Sequence, residues 1–474
     1  MAGGAGASDS GLGRGERHMN EFDLAVIGGG PGGYTAAEAA AKEGLRVVLF
    51  EKDKLGGTCL NRGCIPTKVL LHAAETYRAV GGASELGISV EGASYDFQAM
   101  HARKDAVVGS LRDGIVKLMD AGKICVVEGS ARIIWPGTIE CGGREYRATD
   151  IIVATGSVPS VPPIPGRELE GVYTSDDLLE GEGRDFGSLA IIGGGVIGVE
   201  LAGLYGALGC KVTILEALDH LLPPMDREIA QRLTAIFRKQ GISSVCRATV
   251  TGIERGEDGL MTVSYMDKKG AACTVAAEGV LVATGRRANT QGLFAEGCAC
   301  LPDIERGAVV GDELGRTGVP NLYVIGDAKA RNIQLAHVAE AQAKNAVATI
   351  AGKPAPVDMS VVPSCVYTSP EIASVGITET EAKAAGRPVR CAKSLAGANG
   401  KCVIEGCSTG YIKLVADART DQLLGAQMVY PRATDLVGEL ALAIKQGLTV
   451  QDVAGVIHPH PTFSEGIRAA AEGF

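Results

Sequence analysis

Aromatic residues are scarce in this chain of 474 residues: they make up 4% of it, with a single Trp. Hydrophobic residues nevertheless make up 46% and charged residues 21%, which argues against a disordered chain and supplies apolar side chains for several cores. The chain also lacks a block of Lys and Arg, and its net charge is −9. We therefore expect no nucleic-acid partner, because such binding requires positive charge that neutralises phosphates.

One apolar run, Leu189–Gly209, is long enough to be compared with a membrane span. It carries Glu200 near its middle, and a charged side chain at the centre of a bilayer is costly. Several glycines interrupt it as well. We therefore predict a buried strand, turn and helix in this run, and no membrane association.

The 13 cysteines are odd in number and scattered, unlike the even sets of short secreted disulfide scaffolds. The first 20 residues contain no apolar signal core. We expect a cytoplasmic protein whose thiols are mostly reduced. Residues 1–20 are rich in Gly and Ser, and we predict that they form a disordered tail.

Glycine is abundant, at 66 residues, and its distribution reveals an internal repeat. Residues Asp23–Lys52 and Ser188–Ala217 each read as an apolar strand, a glycine turn, an Ala-rich helix and a second apolar strand that ends in Glu. The three glycines and the acid keep the same spacing in both copies. They are Gly28, Gly30, Gly33 and Glu51 in the first copy, and Gly193, Gly195, Gly198 and Glu216 in the second.

A glycine pattern in this context predicts a dinucleotide-binding site. The first glycine permits a tight turn, the second lets the backbone approach a pyrophosphate, and the third lets the helix pack closely against the strand. The pyrophosphate lies at the helix N-terminus, and the acid accepts a hydrogen bond from a ribose hydroxyl. The simpler alternative is that both turns only close a strand–helix unit.

A second pairing indicates how the domains are arranged. The tripeptide Ala-Thr-Gly follows an apolar strand at residues 154–156 and again at residues 283–285. We interpret these as points where the chain leaves one nucleotide-binding domain and later returns to it. The predicted fold class is α/β, with two nested Rossmann-like dinucleotide-binding domains and an α+β C-terminal domain. The expected ranges are 21–158 with 286–356, 159–285, and 357–474.

Two cysteines, Cys59 and Cys64, follow closely after Glu51, the acid of the first repeat. In a regular helix this spacing would separate their Cα atoms by about 8–9 Å, whereas a disulfide requires roughly 4.4–6.8 Å. If the two are bonded, the segment cannot be a regular helix, and Gly63 permits an irregular backbone. Two buried unbonded cysteines, or half of a metal site, are the alternatives. The two dinucleotide sites favour a redox-active pair.

The segment His458–Glu465, near the end of the chain, contains two histidines and an acid. If the carboxylate of Glu465 holds one ring nitrogen of His460, it fixes the tautomer and raises the basicity of the other nitrogen. That arrangement suits a general base that acts on a thiol. On the sequence alone either histidine could be structural, and the pair lacks the further ligands of a metal site.

Together these segments resemble the pyridine nucleotide–disulfide oxidoreductases, over nearly the whole chain from Asp23 to Phe474. The most specific parts are GGTCLNRGCIPTK at 56–68 and HPHPTFSE at 458–465. The segments VPNLYVIGDA at 319–328 and LAH at 335–337 resemble flavin-contacting motifs of the family. The histidine motif departs from the family pattern, which often has Ala where this chain has Pro459.

The resemblance implies a role for each matching residue. Glu51 and its three glycines would bind the ADP half of FAD, and Glu216 and its three glycines would bind NAD. Lys68 would lie near the flavin and pair with Glu200. Further implied FAD contacts are Thr58, Ala131, Thr155, Gly156, Ser157, Asp327, Leu335, Ala336 and His337, and further NAD contacts are Val250 and Gly285.

The resemblance also implies a reaction, the oxidation of protein-bound dihydrolipoamide with reduction of NAD⁺. His460, oriented by Glu465, would deprotonate a substrate thiol that attacks the disulfide at Cys59, and Cys64, against the flavin, would pass the electrons on. The family forms a homodimer in which this histidine serves the other subunit, so residues 357–474 would form the interface. The partner would be a lipoyl-carrying protein of a 2-oxo acid dehydrogenase or glycine cleavage complex.

Three questions remain open at this level. NADP would require Arg near the adenosine ribose, but residues 217–220, which follow Glu216, include none, and the next is Arg227. We therefore expect NAD. A relative that acts on another disulfide or a quinone-type acceptor is a second hypothesis. A binding or scaffold protein that keeps a flavin site without turnover is a third, and the presence of both cysteines argues against it.

Overall fold

The structure is a computed structural model that describes residues 20–474. The predicted tail, residues 1–20, lies outside the described residues except for Asn20. Within the described part of the chain, no helix is both long and apolar enough to cross a membrane.

Strands occur along the whole described chain. In chain order they are β1 (Glu21–Ile27), β2 (Val47–Glu51), β3 (Cys125–Glu128), β4 (Ala131–Trp135), β5 (Thr138–Cys141), β6 (Arg144–Val153), β7 (Ser157–Pro159), β8 (Val172–Tyr173), β9 (Ser188–Ile192), β10 (Lys211–Glu216), β11 (Ser243–Cys246), β12 (Thr249–Arg255), β13 (Met261–Met266), β14 (Ala272–Ala277), β15 (Gly279–Val282), β16 (Arg286–Ala288), β17 (Ile304–Glu305), β18 (Ala308–Val309), β19 (Leu322–Val324), β20 (Ser364–Val366), β21 (Ile372–Gly376), β22 (Val389–Leu395), β23 (Tyr411–Asp417) and β24 (Leu423–Val429).

Helices alternate with these strands. In chain order they are α1 (Pro31–Lys42), α2 (Gly57–Arg62), α3 (Cys64–Gly81), α4 (Phe97–Ala121), α5 (Ser175–Leu179), α6 (Val196–Ala207), α7 (Arg227–Lys239), α8 (Ala336–Ile350), α9 (Glu379–Ala384), α10 (Gly400–Ile404), α11 (Ala433–Lys445), α12 (Val450–Ala454) and α13 (Glu465–Ala471). Short 3₁₀ turns form at Ala83–Leu86, Gly326–Ala328 and Ala396–Ala398.

The chain divides into two compact units, each assembled from separate stretches of sequence. The first comprises the described residues up to Asn61, with Val108–Val158 and Arg287–Val357. The second comprises Arg62–Val107, Pro159–Arg286 and Asp358–Phe474. Residues 62–107, expected in the first domain, therefore group with the second unit, because α3 packs against α6. The division into three domains stays a prediction.

The first unit is built on a sheet with strand order β3-β2-β1-β6-β5-β4, and β19 also pairs with β6. β1 pairs in parallel with β2 and β6, and its apolar residues are buried on both faces. Leu24 and Val26 belong to the cluster that contains α1 and α8, whereas Ala25 and Ile27 belong to the cluster on the opposite face. This alternation is the two-residue period of a strand.

The second unit contains a parallel sheet with strand order β11-β10-β9-β15-β8 and an antiparallel sheet, β12-β13-β14. The apolar run Leu189–Gly209 forms most of β9, a turn and α6, as predicted. A third sheet, with order β20-β21-β24-β23-β22, is antiparallel and packs against α11 and α13 in one apolar cluster. The predicted α/β fold class, with two Rossmann-like domains and an α+β C-terminal part, is confirmed.

A buried lysine joins two parts of the second unit. Lys413, on β23, has a side chain that is 5% exposed. Its Nζ lies 2.8 Å from Glu379, 3.4 Å from Glu228 and 3.8 Å from Asp226. Burial by itself lowers the pKa of Lys413, but the hydrogen bond to Glu379 and the charges of the other two acids outweigh it, so the pKa is raised. Because β23 belongs to the third sheet and Asp226 caps α7, the network ties that sheet to the helix.

We predict that Lys413→Met lowers the free energy of unfolding by about 1–3 kcal/mol at neutral pH, because it removes the cation from the buried Asp226 and from the partly exposed Glu228 and Glu379. The measurement is the urea midpoint at fixed slope. Hydrogen bonds from Lys383 and then from Lys413 lower the pKa of Glu379 from 4.5 to about 2. A carboxylate with a lowered pKa stabilises the fold fully above its unfolded pKa, so the penalty should shrink as the pH falls from 4.5 towards about 2.

The matched control is Lys268→Met, which removes an exposed lysine from the same unit. Its free energy of unfolding should stay within about 0.5 kcal/mol of the wild type. Equal midpoints for the two variants would contradict a stabilising role for Lys413.

Candidate functional site

The first glycine turn joins β1 to α1 at a backbone distance that excludes a side chain. A Cβ on Gly33 would lie 1.7 Å from the carbonyl oxygen of Gly28. Gly28 has a φ of +106°, and a Cβ there would lie 2.4 Å from the carbonyl oxygen of Ala154. The glycines therefore let α1 approach β1 and β6 closely, as the sequence pattern predicted.

The acid of the first repeat holds this turn in place. One carboxylate oxygen of Glu51 accepts a hydrogen bond from the Gly29 amide at 2.7 Å, and the other accepts one from the Asp53 amide at 2.9 Å. The end of β2 is thereby fixed against the turn.

The second turn repeats this geometry between β9 and α6. A Cβ on Gly198 would lie 2.1 Å from the carbonyl oxygen of Gly193. Gly193 has a φ of +110°, and a Cβ there would lie 2.4 Å from the carbonyl oxygen of Ala283. Glu216 is 7% exposed, and its carboxylate accepts hydrogen bonds from the Gly194 amide at 2.5 Å and the Leu218 amide at 2.7 Å.

Both turns have the properties that a bound pyrophosphate needs. Gly30 and Gly195 are the N-cap residues of α1 and α6, and neither supplies a capping side chain, so amide donors of the first helical turn are left for an anion. A Cβ on Gly195 would meet no atom within 4 Å, and one on Gly30 would approach only a Gly57 Cα, at 3.7 Å. The open space beside each second glycine favours a ligand over a turn that only closes a strand–helix unit.

Four of the residues predicted to contact FAD form a polar group in the first unit. Ser157 donates a hydrogen bond to Asp327 at 2.6 Å. The hydroxyl of Thr155 is buried and has no hydrogen-bond partner among the described residues. Gly156, between them, has a φ of +68°. An unpaired buried hydroxyl next to an open glycine turn is what a polar ligand would satisfy, so these residues fit FAD.

The other predicted cofactor contacts are distributed over several elements. Thr58 lies in α2, Ala131 begins β4, and Leu335, Ala336 and His337 form the N-cap and first residues of α8. In the second unit, Val250 lies in β12 and Gly285, with a φ of +110°, follows β15. The roles of these residues as cofactor contacts stay predictions.

The two predicted redox cysteines lie on either side of a break in the helix. Cys59 is half-buried in α2, and Cys64 is the exposed first residue of α3. Gly63 separates the helices, with φ −135° and ψ −111°. The segment is thus not a continuous regular helix, as the spacing required for a bonded pair. Among residues 20–474, the bonded cysteines are Cys298 and Cys300, and the Cys59–Cys64 bond stays a prediction.

A partly buried ion pair lies one turn into α3. Lys68 Nζ is 2.7 Å from an oxygen of Glu200, which is 4% exposed on α6. The second oxygen of Glu200 accepts a hydrogen bond from the Tyr367 amide at 3.0 Å, and Lys68 lies 4.4 Å above the centre of the Tyr367 ring. The predicted pairing of Lys68 with Glu200 is present.

The two histidines of the C-terminal motif have different environments. His460 has a side chain that is 77% exposed, and its Nδ1 lies 3.0 Å from Glu465. His458 is 9% exposed, with Nδ1 at 3.0 Å from the Val456 carbonyl oxygen and Nε2 at 3.1 Å from Glu439. Both ring nitrogens of His458 are engaged, so it is suited to a structural role. His460 presents its other nitrogen to solvent, as a proton acceptor must.

Two contributing residues escaped the sequence reasoning. Tyr367 contacts both Lys68 and Glu200, and no local sequence pattern predicts these contacts. Thr462 donates its amide to Glu465 at 2.9 Å and its hydroxyl to the Pro459 carbonyl oxygen at 2.8 Å. The Thr-x-x-Glu spacing of residues 462–465 resembles a capping box, a signal that could have identified it.

Comparison with known proteins gives consistent matches. Residues 22–343 match the family described as pyridine nucleotide-disulphide oxidoreductase, and residues 362–471 match its dimerisation domain. The chain is 41% identical, over 467 residues, to a dihydrolipoyl dehydrogenase of Bacillus subtilis. The alignment covers 95% of this chain and 97% of that protein. It is also 41% identical, over 455 residues, to the enzyme of the same name from Thermus scotoductus, with 96% and 97% covered.

Solved structures show the same architecture. The HOCl-induced flavoprotein disulfide reductase RclA from Escherichia coli superposes with a TM-score of 0.85 at 30% identity, covering 95% of this chain and 99% of that one. Its Cu(II) complex gives a TM-score of 0.85 at 30% identity, with 96% and 99% covered.

We predict that Gly198→Ala weakens NADH binding on the order of tenfold or more. The new Cβ would collide with the Gly193 carbonyl oxygen, and relieving such overpacking costs about 1–3 kcal/mol and displaces the turn. Isothermal titration calorimetry with NADH measures the dissociation constant.

Gly203→Ala is the matched control, because it lies on the same helix and its Cβ would meet nothing within 4 Å. That variant should bind NADH like the wild type. If Gly198→Ala binds NADH as tightly as Gly203→Ala, the second turn is not the nucleotide site.

Proposed function

The chain belongs to the pyridine nucleotide-disulphide oxidoreductase family, and from this premise we propose that it is a dihydrolipoyl dehydrogenase. It oxidises protein-bound dihydrolipoamide to lipoamide and reduces NAD⁺ to NADH. The observation that carries the proposal is the exposed His460 held by Glu465, in a chain that also has Cys59 and Cys64. The names of the relatives support the substrate.

The first unit supplies the FAD site of this proposal. Its turn, with Gly28, Gly30 and Gly33, and its acid Glu51 would hold the ADP half. Further residues proposed to line the site are Thr58, Ala131, Thr155, Gly156, Ser157, Asp327, Leu335, Ala336 and His337. Bound FAD would supply the two-electron chemistry between thiols and nicotinamide.

The second unit supplies the NAD site. The amides at the start of α6, next to Gly195, would receive the pyrophosphate, and Glu216 would accept a hydrogen bond from the adenosine ribose. Val250 and Gly285 are proposed to line the same site. In terms of domains, we assign residues 21–158 with 286–356 to FAD binding and residues 159–285 to NAD binding.

The thiol chemistry falls to the cysteine pair. A substrate thiolate attacks Sγ of Cys59, and the Cys59–Cys64 bond breaks, which leaves Cys64 as a thiolate. The second substrate thiolate then attacks the mixed disulfide, so that lipoamide leaves with its ring disulfide formed and Cys59 is released as a thiol or thiolate. Two electrons have passed from the substrate to the protein. Cys64, at the N-terminus of an 18-residue helix, is placed where the helix dipole stabilises a thiolate.

His460 is the proposed acid–base catalyst. The Glu465 carboxylate has a lowered pKa, because the Thr462 amide and then His460 donate hydrogen bonds to it. It is therefore ionised at neutral pH and accepts the Nδ1 proton of His460. That leaves Nε2 as the atom that takes a proton from a substrate thiol. Lys68 and Glu200 are proposed as positioning residues near the flavin.

The protein is proposed to act as a homodimer through residues 357–474. The match to a dimerisation domain over residues 362–471 supports this, and so do exposed apolar side chains beside the histidine motif, Val456 at 52% and Ile457 at 94%. In such a dimer His460 of one subunit serves the active site of the other. The partner is a lipoyl-carrying protein of a 2-oxo acid dehydrogenase or glycine cleavage complex, and the scattered cysteines favour a cytoplasmic location.

A second candidate function is a disulfide reductase with another acceptor. The similarity in structure to the E. coli protein named as an HOCl-induced flavoprotein disulfide reductase favours it. The higher identity to proteins named dihydrolipoyl dehydrogenase favours the main proposal. Turnover with dihydrolipoamide and NAD⁺ distinguishes the two.

We predict that Cys59→Ser abolishes dihydrolipoamide turnover and leaves the flavin bound, because the disulfide needs both sulfur atoms whereas the FAD site does not. NADH formation under anaerobic conditions measures turnover, and absorbance of the purified protein measures bound flavin. Cys391→Ser, a change at an exposed cysteine outside the proposed redox pair, should leave turnover unchanged. Normal turnover in Cys59→Ser would refute the redox assignment.

We predict that His460→Gln slows turnover by about 10²–10⁴-fold, the usual contribution of a general base. His458→Gln should cause a much smaller loss, because both ring nitrogens of His458 bond within the protein. Steady-state rates with dihydrolipoamide and NAD⁺ are the measurement. A larger loss for His458→Gln than for His460→Gln would reverse the assignment of the catalytic histidine.

A further inference from the structure

Two arginines and a histidine surround one carboxylate in the loop after β10. Asp219 Oδ1 lies 2.5 Å from His220 Nδ1, and Asp219 Oδ2 pairs with Arg227. Arg247 Nη2 lies 3.9 Å from the same Oδ2. His220 in the loop, Arg227 at the start of α7 and Arg247 between β11 and β12 thus all contact or approach Asp219.

This cluster is joined directly to the acid proposed to hold the adenosine ribose. The Leu218 amide donates to Glu216, and the Leu218 carbonyl oxygen accepts a hydrogen bond from the Arg247 amide at 2.8 Å. The Ala248 amide donates to the Glu216 carbonyl oxygen at 2.9 Å. The backbone therefore holds Arg247 and the Asp219 loop beside Glu216.

The tertiary structure changes what the sequence indicated about cations near this acid. Along the chain, no arginine follows Glu216 until Arg227. In the fold, Arg227 at the start of α7 and Arg247 between β11 and β12 both reach the loop. Their side chains are 59% and 63% exposed, so solvent and anions can approach both guanidinium groups.

Arginine is the side chain that most often accommodates an adenosine 2′-phosphate in nucleotide folds of this kind. Here the carboxylate of Asp219, instead of a 2′-phosphate, is the counter-ion of the two arginines. Hydrogen bonds from His220 and then from Arg227 lower the pKa of Asp219, which keeps it ionised at neutral pH. Two negative charges, on Glu216 and Asp219, therefore oppose a third from the ligand.

We propose that Asp219 is a specificity-determining residue that neutralises Arg227 and Arg247 and thereby prevents their use as a 2′-phosphate site. Discrimination between NAD and NADP then depends on Asp219 as well as on Glu216. This inference rests on the proposed NAD site of the second unit.

The test uses the full-length holoenzyme and two probes that differ only by the 2′-phosphate, adenosine 2′,5′-bisphosphate and 5′-AMP. Calorimetric titration of Asp219→Asn should show the bisphosphate bound about tenfold more tightly than by the wild type. The affinity for 5′-AMP should stay within about twofold, because that probe has no group that reaches the arginines. The gain should decrease at high salt.

Two further variants control for net charge and for the partner cations. Asp258→Asn removes the same charge from an exposed turn of the same unit, and its affinity for the bisphosphate should match the wild type. In the Asp219→Asn background, Arg227→Gln should remove most of the gain.

The outcomes separate this inference from the proposal beneath it. If 5′-AMP and NADH bind the wild type but Asp219→Asn binds the bisphosphate no better than Asp258→Asn, the role of Asp219 is refuted and the NAD site stands. If neither 5′-AMP nor NADH binds the wild type, the NAD site is refuted and the inference falls with it.

Discussion

The close approach of a helix to a strand at Gly33 and at Gly198, which only glycine permits, determines the geometry of both turns. At Gly33 and Gly198 a methyl group would collide with the oxygens of Gly28 and Gly193. The glycines let α1 and α6 pack against their strands, with the N-terminal amides of each helix at the carboxyl ends of the parallel strands β1 and β9. Glu51 and Glu216 then hold each turn through the amides of the following glycines. Each glycine turn is thus fixed by close backbone packing and by hydrogen bonds to an acid at the end of the neighbouring strand.

Buried charge links the chemistry to this frame in the second unit. α3 begins with Cys64 and carries Lys68, and α6 begins beside the second turn and carries Glu200. Both oxygens of Glu200 are used, one by Lys68 and one by the Tyr367 amide. An unpaired carboxylate at this depth would be costly, so the helix of the thiol, the helix of the nucleotide turn and the segment after β20 are held in one arrangement.

The sequence predicted much of the fold because its signals are local. The apolar strands, the Gly28 and Gly193 turns and the terminal acids lie within stretches of about thirty residues, and their backbone requirements admit few alternatives. The break at Gly63 was predicted on the condition that Cys59 and Cys64 are bonded, and the two helices do separate there. The association of residues 62–107 with the second compact unit could not be read from local spacing, because the packing of α3 on α6 is a contact between distant segments.

Short-range spacing was sufficient to predict the two strand–turn–helix units, the acids that close them and the candidate pairs Cys59–Cys64 and His460–Glu465. Tertiary contacts were needed to distinguish the environments of the two histidines, since His458 is buried and bonds to Glu439 and Val456 whereas His460 is exposed. The tertiary structure alone also brought Tyr367 to Glu200 and Arg247 to Asp219. Electrostatic and packing contacts of this kind join residues far apart in the chain, and no local periodicity records them.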